Sequence, residues 1–74
     1  MDPYRLANRI RSFRKLKGYT QSEFAQALCV SLAVLGEIER GTRQPSEAML
    51  QAITKMLGIS LAELTLTDQA EVKS

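Results

Sequence analysis

The sequence predicts an all-α fold of five short helices, on three observations. Apolar residues recur at helical spacing in successive segments: Leu6-Ile10-Phe13, Phe24-Ala25-Leu28, Leu35-Ile38, Met49-Leu50-Ile53-Met56-Leu57 and Leu61-Leu64. Hydroxyl residues of the kind that cap helix starts, Thr20, Ser31, Ser46 and Ser60, open four of these segments. Gly18, Gly41 and Gly58 stand where three of them should stop. With 74 residues the chain holds one domain. So small a core supplies only a few kcal/mol of net stability, on the order of 3–5.

The first helix follows a Met1-Asp2-Pro3 lead-in, with Pro3 suited to a first helical turn. Leu6, Ile10, Phe13 and Lys17 mark its stripe and Gly18 its end. Arg5, Arg9, Arg11, Lys15 and Lys17 are expected on its outer faces, with Arg14 beside the stripe. Thr20 and Glu23 form a capping box, each side chain bonding the other residue's backbone N–H, and Tyr19 can staple onto Phe24. Cys29 falls where a left-handed residue normally ends a helix. A side chain there costs about 1–2 kcal/mol, which leaves a reshaped turn open, and its thiol is read as a buried small hydrophobe. Leu28 to Leu35 alone could be a strand, but the flanking caps and Gly41 decide for a second and a third helix joined by a short turn. Pro45 makes residues 42–45 a loop. Ser46 caps the fourth helix, with Glu47 in its first turn, and Ser60 with Glu63 boxes a short fifth one in which Leu61 and Leu64 point inward. The reading divides the chain into a domain over residues 1–66 and a flexible polar tail over 67–74.

Composition narrows the function. There is no histidine, which removes Ser-His nucleophilic chemistry, a histidine base and most zinc sites, so an enzyme is not expected. A single cysteine forms no internal disulfide and fits a reducing cytoplasm. No apolar run reaches the length of a membrane span. No cofactor, metal set or small-molecule pocket is called for. The net charge of +2 conceals an asymmetry: residues 1–43 carry eight Lys/Arg against four Asp/Glu, and residues 44–74 two against four. The basic half contains the two-helix unit, as a polyanion-binding surface needs, although a merely solvated cationic face has the same composition.

Two short helices joined by a turn in a basic chain have the layout of a DNA-reading helix-turn-helix. The ordered set Ile10-x-x-Phe13-Arg14, Thr20-Gln21-x-Glu23-Phe24-Ala25, Val30-Ser31, Ile38-Glu39-x-Gly41, Pro45-Ser46, Leu50-x-x-Ile53 and Leu57-Gly58-Ile59-Ser60-x-x-x-Leu64 resembles the lambda-repressor-like helix-turn-helix family, the Cro-type or XRE-type regulators of bacteria and phages. The likeness runs from about residue 6 to 65. It implies a compact five-helix domain whose third helix enters the major groove, usually as a homodimer on a two-fold double-stranded DNA operator. By the same resemblance Ser31, Leu32, Ala33, Val34 and Glu37 hold base-reading positions. Gln21, Arg40, Thr42 and Arg43 hold phosphate-contacting ones, and Arg14 and Glu39 match a structural ion pair between the first and third helices.

The outer positions of the third helix, Leu32, Ala33, Val34, Gly36 and Glu37, lack the bidentate donors that usually read bases. Leu32, Ala33 and Val34 suit thymine methyl groups, and Glu37 a cytosine amino group; DNA shape would supply the rest. The function expected is a sequence-specific regulator, a repressor or autoregulator acting in a bacterial cytoplasm. The same apolar positions also fit an alternative, a protein-interaction module on a degenerate helix-turn-helix scaffold. Leu61, Leu64, Leu66 and the loop around Gln44 are candidate dimer contacts.

Overall fold

The computed structural model describes residues 3–65, in five helices: α1 (Pro3–Leu16), α2 (Gln21–Leu28), α3 (Leu32–Arg40), α4 (Glu47–Leu57) and α5 (Leu61–Thr65). The anticipated tail over 67–74 and the candidate contact Leu66 lie outside the described residues. Among those residues there is no strand; the Leu28–Leu35 run divides into the end of α2, a turn and the start of α3.

Local hydrogen bonds fix the helix boundaries. Thr20 Oγ1 accepts from the Glu23 N–H, and Glu23 Oε1 accepts from the Thr20 N–H. Ser60 and Glu63 repeat the exchange at α5, while Ser31 and Ser46 accept from Val34 and Met49. Four helix ends close in one way: the left-handed residue donates three positions back and the next residue donates five back, at Gly18–Tyr19, Cys29–Val30, Gly41–Thr42 and Gly58–Ile59. These paired bonds satisfy carbonyls the helix leaves open.

Leu6 and Ile10 of α1, Phe24 and Leu28 of α2, Leu35 and Ile38 of α3, Ile53 and Leu57 of α4, and Leu64 of α5 meet in one core. Tyr19 packs on Phe24 with ring centroids 5.2 Å apart and the ring planes tilted by 42°. α1 lies against α3, α4 and α5, and α2 against α3 and α4, so α3 is braced from two sides.

Four inward assignments are corrected. Leu61 is 44% exposed, Met56 is 37% exposed, and Cys29 is also exposed. Cys29 takes φ 60°, ψ 38° without reshaping the turn, and this directs its side chain outward while Leu28 and Val30 supply the apolar contacts. Lys17, placed on the α1 stripe, lies past the helix end and is exposed. Three outward assignments reverse, that of Val34 because it is half-buried and packed against the core. Arg9 is half-buried, donating from Nε to the Leu64 carbonyl (2.7 Å) and from Nη2 to the Glu63 carbonyl (2.6 Å), with its guanidinium 5.1 Å from the Phe13 ring centre. Gly36 is buried, for a reason given below.

Candidate nucleic-acid interface

α3 is amphipathic in a way that leaves one face without a partner. Leu35, Ile38 and Glu39 are buried, with Val34 half-buried beside them. At about 100° per residue, Ala33, Glu37 and Arg40 lie opposite that side, with Gly36 and Leu32 on the flank between. Leu32, Ala33 and Arg40 are exposed and Glu37 is half-exposed. Ser31 is exposed at the helix start.

The inner side of α3 is tied to α1 and α2 by one polar knot. Arg14 Nε donates to Glu39 Oε2 at 2.7 Å and Nη2 to Oε1 at 3.2 Å, with side-chain exposures of 9% and 2%. Arg14 Nη1 donates to the Tyr19 carbonyl at 2.8 Å. Gln21 Nε2, at the start of α2, donates to Glu39 Oε1 at 3.2 Å. A guanidinium fork matched to a carboxylate fixes orientation as well as distance, so α1, the first residue of α2 and the inner face of α3 hold one geometry. No buried side-chain nitrogen or oxygen among the described residues lacks a partner.

At its far end α3 turns through Gly41 into the loop carrying Thr42 and Arg43. The Glu37 carbonyl accepts from the Thr42 N–H (3.0 Å), the Arg43 N–H (3.3 Å) and Thr42 Oγ1 (3.2 Å). Arg43 Nε donates to Glu37 Oε1 at 2.6 Å. Glu37, taken from sequence as a base reader, and Arg43, taken as a phosphate contact, are therefore each other's partner. Gly41 (φ 81°) also meets α1: a Cβ there would lie 2.8 Å from Tyr4 Cδ1.

Gly36 departs from its expected outer exposure because Arg40 covers it. The three atoms nearest the place of its absent Cβ are Arg40 Nη1 (3.1 Å), Cζ (3.9 Å) and Nη2 (4.0 Å). The spacing of four between Gly36 and Arg40 was the signal available in sequence, since helical side chains lean toward the preceding turn. The six-residue spacing of Glu37 and Arg43 across a glycine stop gave no comparable sign.

Residues 10–64 match the helix-turn-helix family HTH_3. The chain belongs to the XRE-type helix-turn-helix family. It is 61% identical over 56 residues to the HTH-type transcriptional regulator YazB of Bacillus subtilis, covering 76% of this chain and 81% of that one. Other curated relatives it matches are longer, and it spans about half of their length, 46–54%. The clp gene regulator ClgR from Corynebacterium glutamicum superposes with TM-score 0.87 at 34% identity, over 96% of this chain and 76% of that one. The restriction-modification controller protein C.AhdI from Aeromonas hydrophila superposes with TM-score 0.80 at 28% identity, over 85% and 96%. This helix-turn-helix chain is thus a DNA-binding transcriptional regulator with the all-α fold of its family. None of its described helices is long and apolar enough to cross a membrane.

Proposed function

We propose that this chain is a sequence-specific regulator of transcription, a repressor or autoregulator in the bacterial cytoplasm, that binds a two-fold operator as a homodimer. Its α3 lies in the major groove. Residues 1–66 are the DNA-binding unit. The observation that carries this reading is the outer arc of α3, opposite the core and flanked by cationic residues, on a helix whose inner side is locked by the Arg14–Glu39–Gln21 knot.

Leu32 and Ala33 present apolar surface to thymine methyl groups, with Ser31 and Val34 at the edge of the same contact. Glu37, its charge balanced by Arg43, accepts from a cytosine amino group when the pair opens toward DNA. Gln21 uses one amide N–H on Glu39 and keeps a second for a phosphate, beside the open N–H groups of the α2 start. Thr42 and Arg43 take the phosphate flanking the groove. For the dimer, Leu61 and Met56 are the exposed apolar groups on α5 and α4. Leu64, fully buried in the core, is withdrawn as a contact. One such module covers a limited DNA area, so two half-sites about one helical turn apart supply the affinity.

The test is fluorescence anisotropy of a labelled random duplex at several salt concentrations, followed by sedimentation of the complex. Binding in the range of about 10⁻⁴–10⁻⁶ M with a steep negative salt slope supports the reading. Leu32 at 48% exposure favours the second reading, a protein-docking face on α3. No duplex binding even at low salt would transfer the conclusion to it.

A further inference from the structure

We propose that Arg40 reads a guanine, and that Gly36 exists to deliver it. The inference rests on the DNA-binding reading and alters the assignment of one residue within it: Arg40 moves from a phosphate contact to the bidentate base reader that α3 otherwise lacks. In helix-turn-helix docking the N-terminal part of the recognition helix meets the base edges. Arg40 is the last residue of α3, about 12 Å along the axis from Leu32 at 1.5 Å per residue. Extended past the helix end, its guanidinium would lie farther still from that N-terminal part. Instead it folds back a full turn, lying 3.1–4.0 Å from the place where Gly36 has no Cβ.

Four further observations support the assignment. At about 100° per residue, Arg40 projects opposite Leu35 and Ile38, the direction in which α3 faces away from the core, with Gly36 beside it on the flank of that face. Gly36 has no left-handed φ, unlike Gly18, Gly41 and Gly58, so no dihedral calls for glycine, a poor helix former, at this place. What glycine supplies there is space. Glu37, three residues before Arg40 on α3, already has its carboxylate engaged by Arg43. No hydrogen bond or ion pair among the described residues occupies Arg40. A planar fork lying over Gly36 with its donors open matches the O6 and N7 acceptors that guanine alone presents together in the major groove.

The experiment begins by selecting duplexes from a random library with the unaltered chain, Arg40→Ala and Gly36→Ala. Anisotropy then measures each protein on the selected and on random duplexes across salt. Helicity by circular dichroism confirms that each variant is folded. The unaltered chain should enrich a guanine at one position of each half-site. Arg40→Ala should lose that preference alone and bind the selected duplex about 5- to 150-fold more weakly, with a much smaller loss on random DNA. Gly36→Ala keeps every charge but puts a Cβ at 3.1 Å from Nη1; it should lose the same guanine while leaving the salt slope unchanged. Replacing that guanine by 7-deazaguanine, which lacks the N7 acceptor, should weaken the unaltered chain and leave Arg40→Ala unaffected. An Arg40→Ala loss equal on all duplexes, with the salt slope shallower by about one contact, would return the residue to phosphate and overturn the assignment. A Gly36→Ala variant that retains the guanine would do the same to the role of Gly36. Failure of the unaltered chain to bind any duplex would overturn the DNA reading itself, a result separable from either of these.

Discussion

Two ion pairs hold α3 from opposite sides, and they differ in everything except length. Arg14–Glu39 closes at 2.7 Å and Arg43–Glu37 at 2.6 Å. The first has side chains exposed 9% and 2%, and further bonds from Gln21 and to the Tyr19 carbonyl; the second stands at 51% and 39% in solvent. Distance therefore says little about what each contributes. Removing one member of a buried pair strands a charge away from water, whereas an exposed pair exchanges its partner for hydration at small cost. The inner pair maintains the shape of the domain. The outer pair can part at little cost.

The sharpest way to break this contrast is Glu39→Ala, expected to cost about 3–5 kcal/mol, comparable to the whole stability of so small a domain. Urea unfolding of the gentler Glu39→Gln and of the double variant Arg14→Met with Glu39→Leu keeps the claim measurable. The double change should destabilise less than Glu39→Ala, and an equal or larger loss would refute stranded charge as the cause. Next is Gly41→Ala, at the turn that carries the chain from Glu39 to Arg43. It combines a left-handed φ with a Cβ 2.8 Å from Tyr4. A loss of about 2–4 kcal/mol is expected by thermal or urea unfolding; an unchanged midpoint would mean that Tyr4 moves aside freely. Arg43→Ala should alter stability by no more than about 1 kcal/mol, yet reduce the salt slope of DNA binding by about one contact. A large stability loss there would erase the distinction between the two pairs. Smallest is the coupling between Glu37 and Arg43 in a double-mutant cycle, about 0.2–1 kcal/mol at low salt. It should shrink toward zero near 1 M salt, and persistence there would mark the pair as shielded.

The parts of the fold set by neighbours in sequence were legible before any coordinates. Thr20 with Glu23 and Ser60 with Glu63 lie three residues apart, so their reciprocal bonds follow from spacing alone. The staple of Tyr19 on Phe24 is local in the same way. Features depending on how distant segments approach were not legible. Arg9 reaches the Leu64 carbonyl across 55 positions, and no periodicity announces it. α5 has five residues, little more than one turn, so its pattern could not decide between an inward and an outward Leu61. At the candidate interface the motif located α3 and the exposed Leu32 and Ala33, but not the burial of Val34 and Gly36. The fold-back of Arg40 and the Arg43–Glu37 pairing depend on side-chain conformation, which a linear pattern does not encode. Cys29 illustrates both halves: its left-handed place followed from the helix end, and its exposure did not.

That exposed cysteine has a practical use. It is the single thiol of the chain and sits in the turn between α2 and α3. A maleimide dye would attach there alone, without engineered residues, one position beyond the end of α2 and three before the start of α3. The molecule thus carries its own attachment point for an optical reporter, in the turn that joins the two helices of its motif.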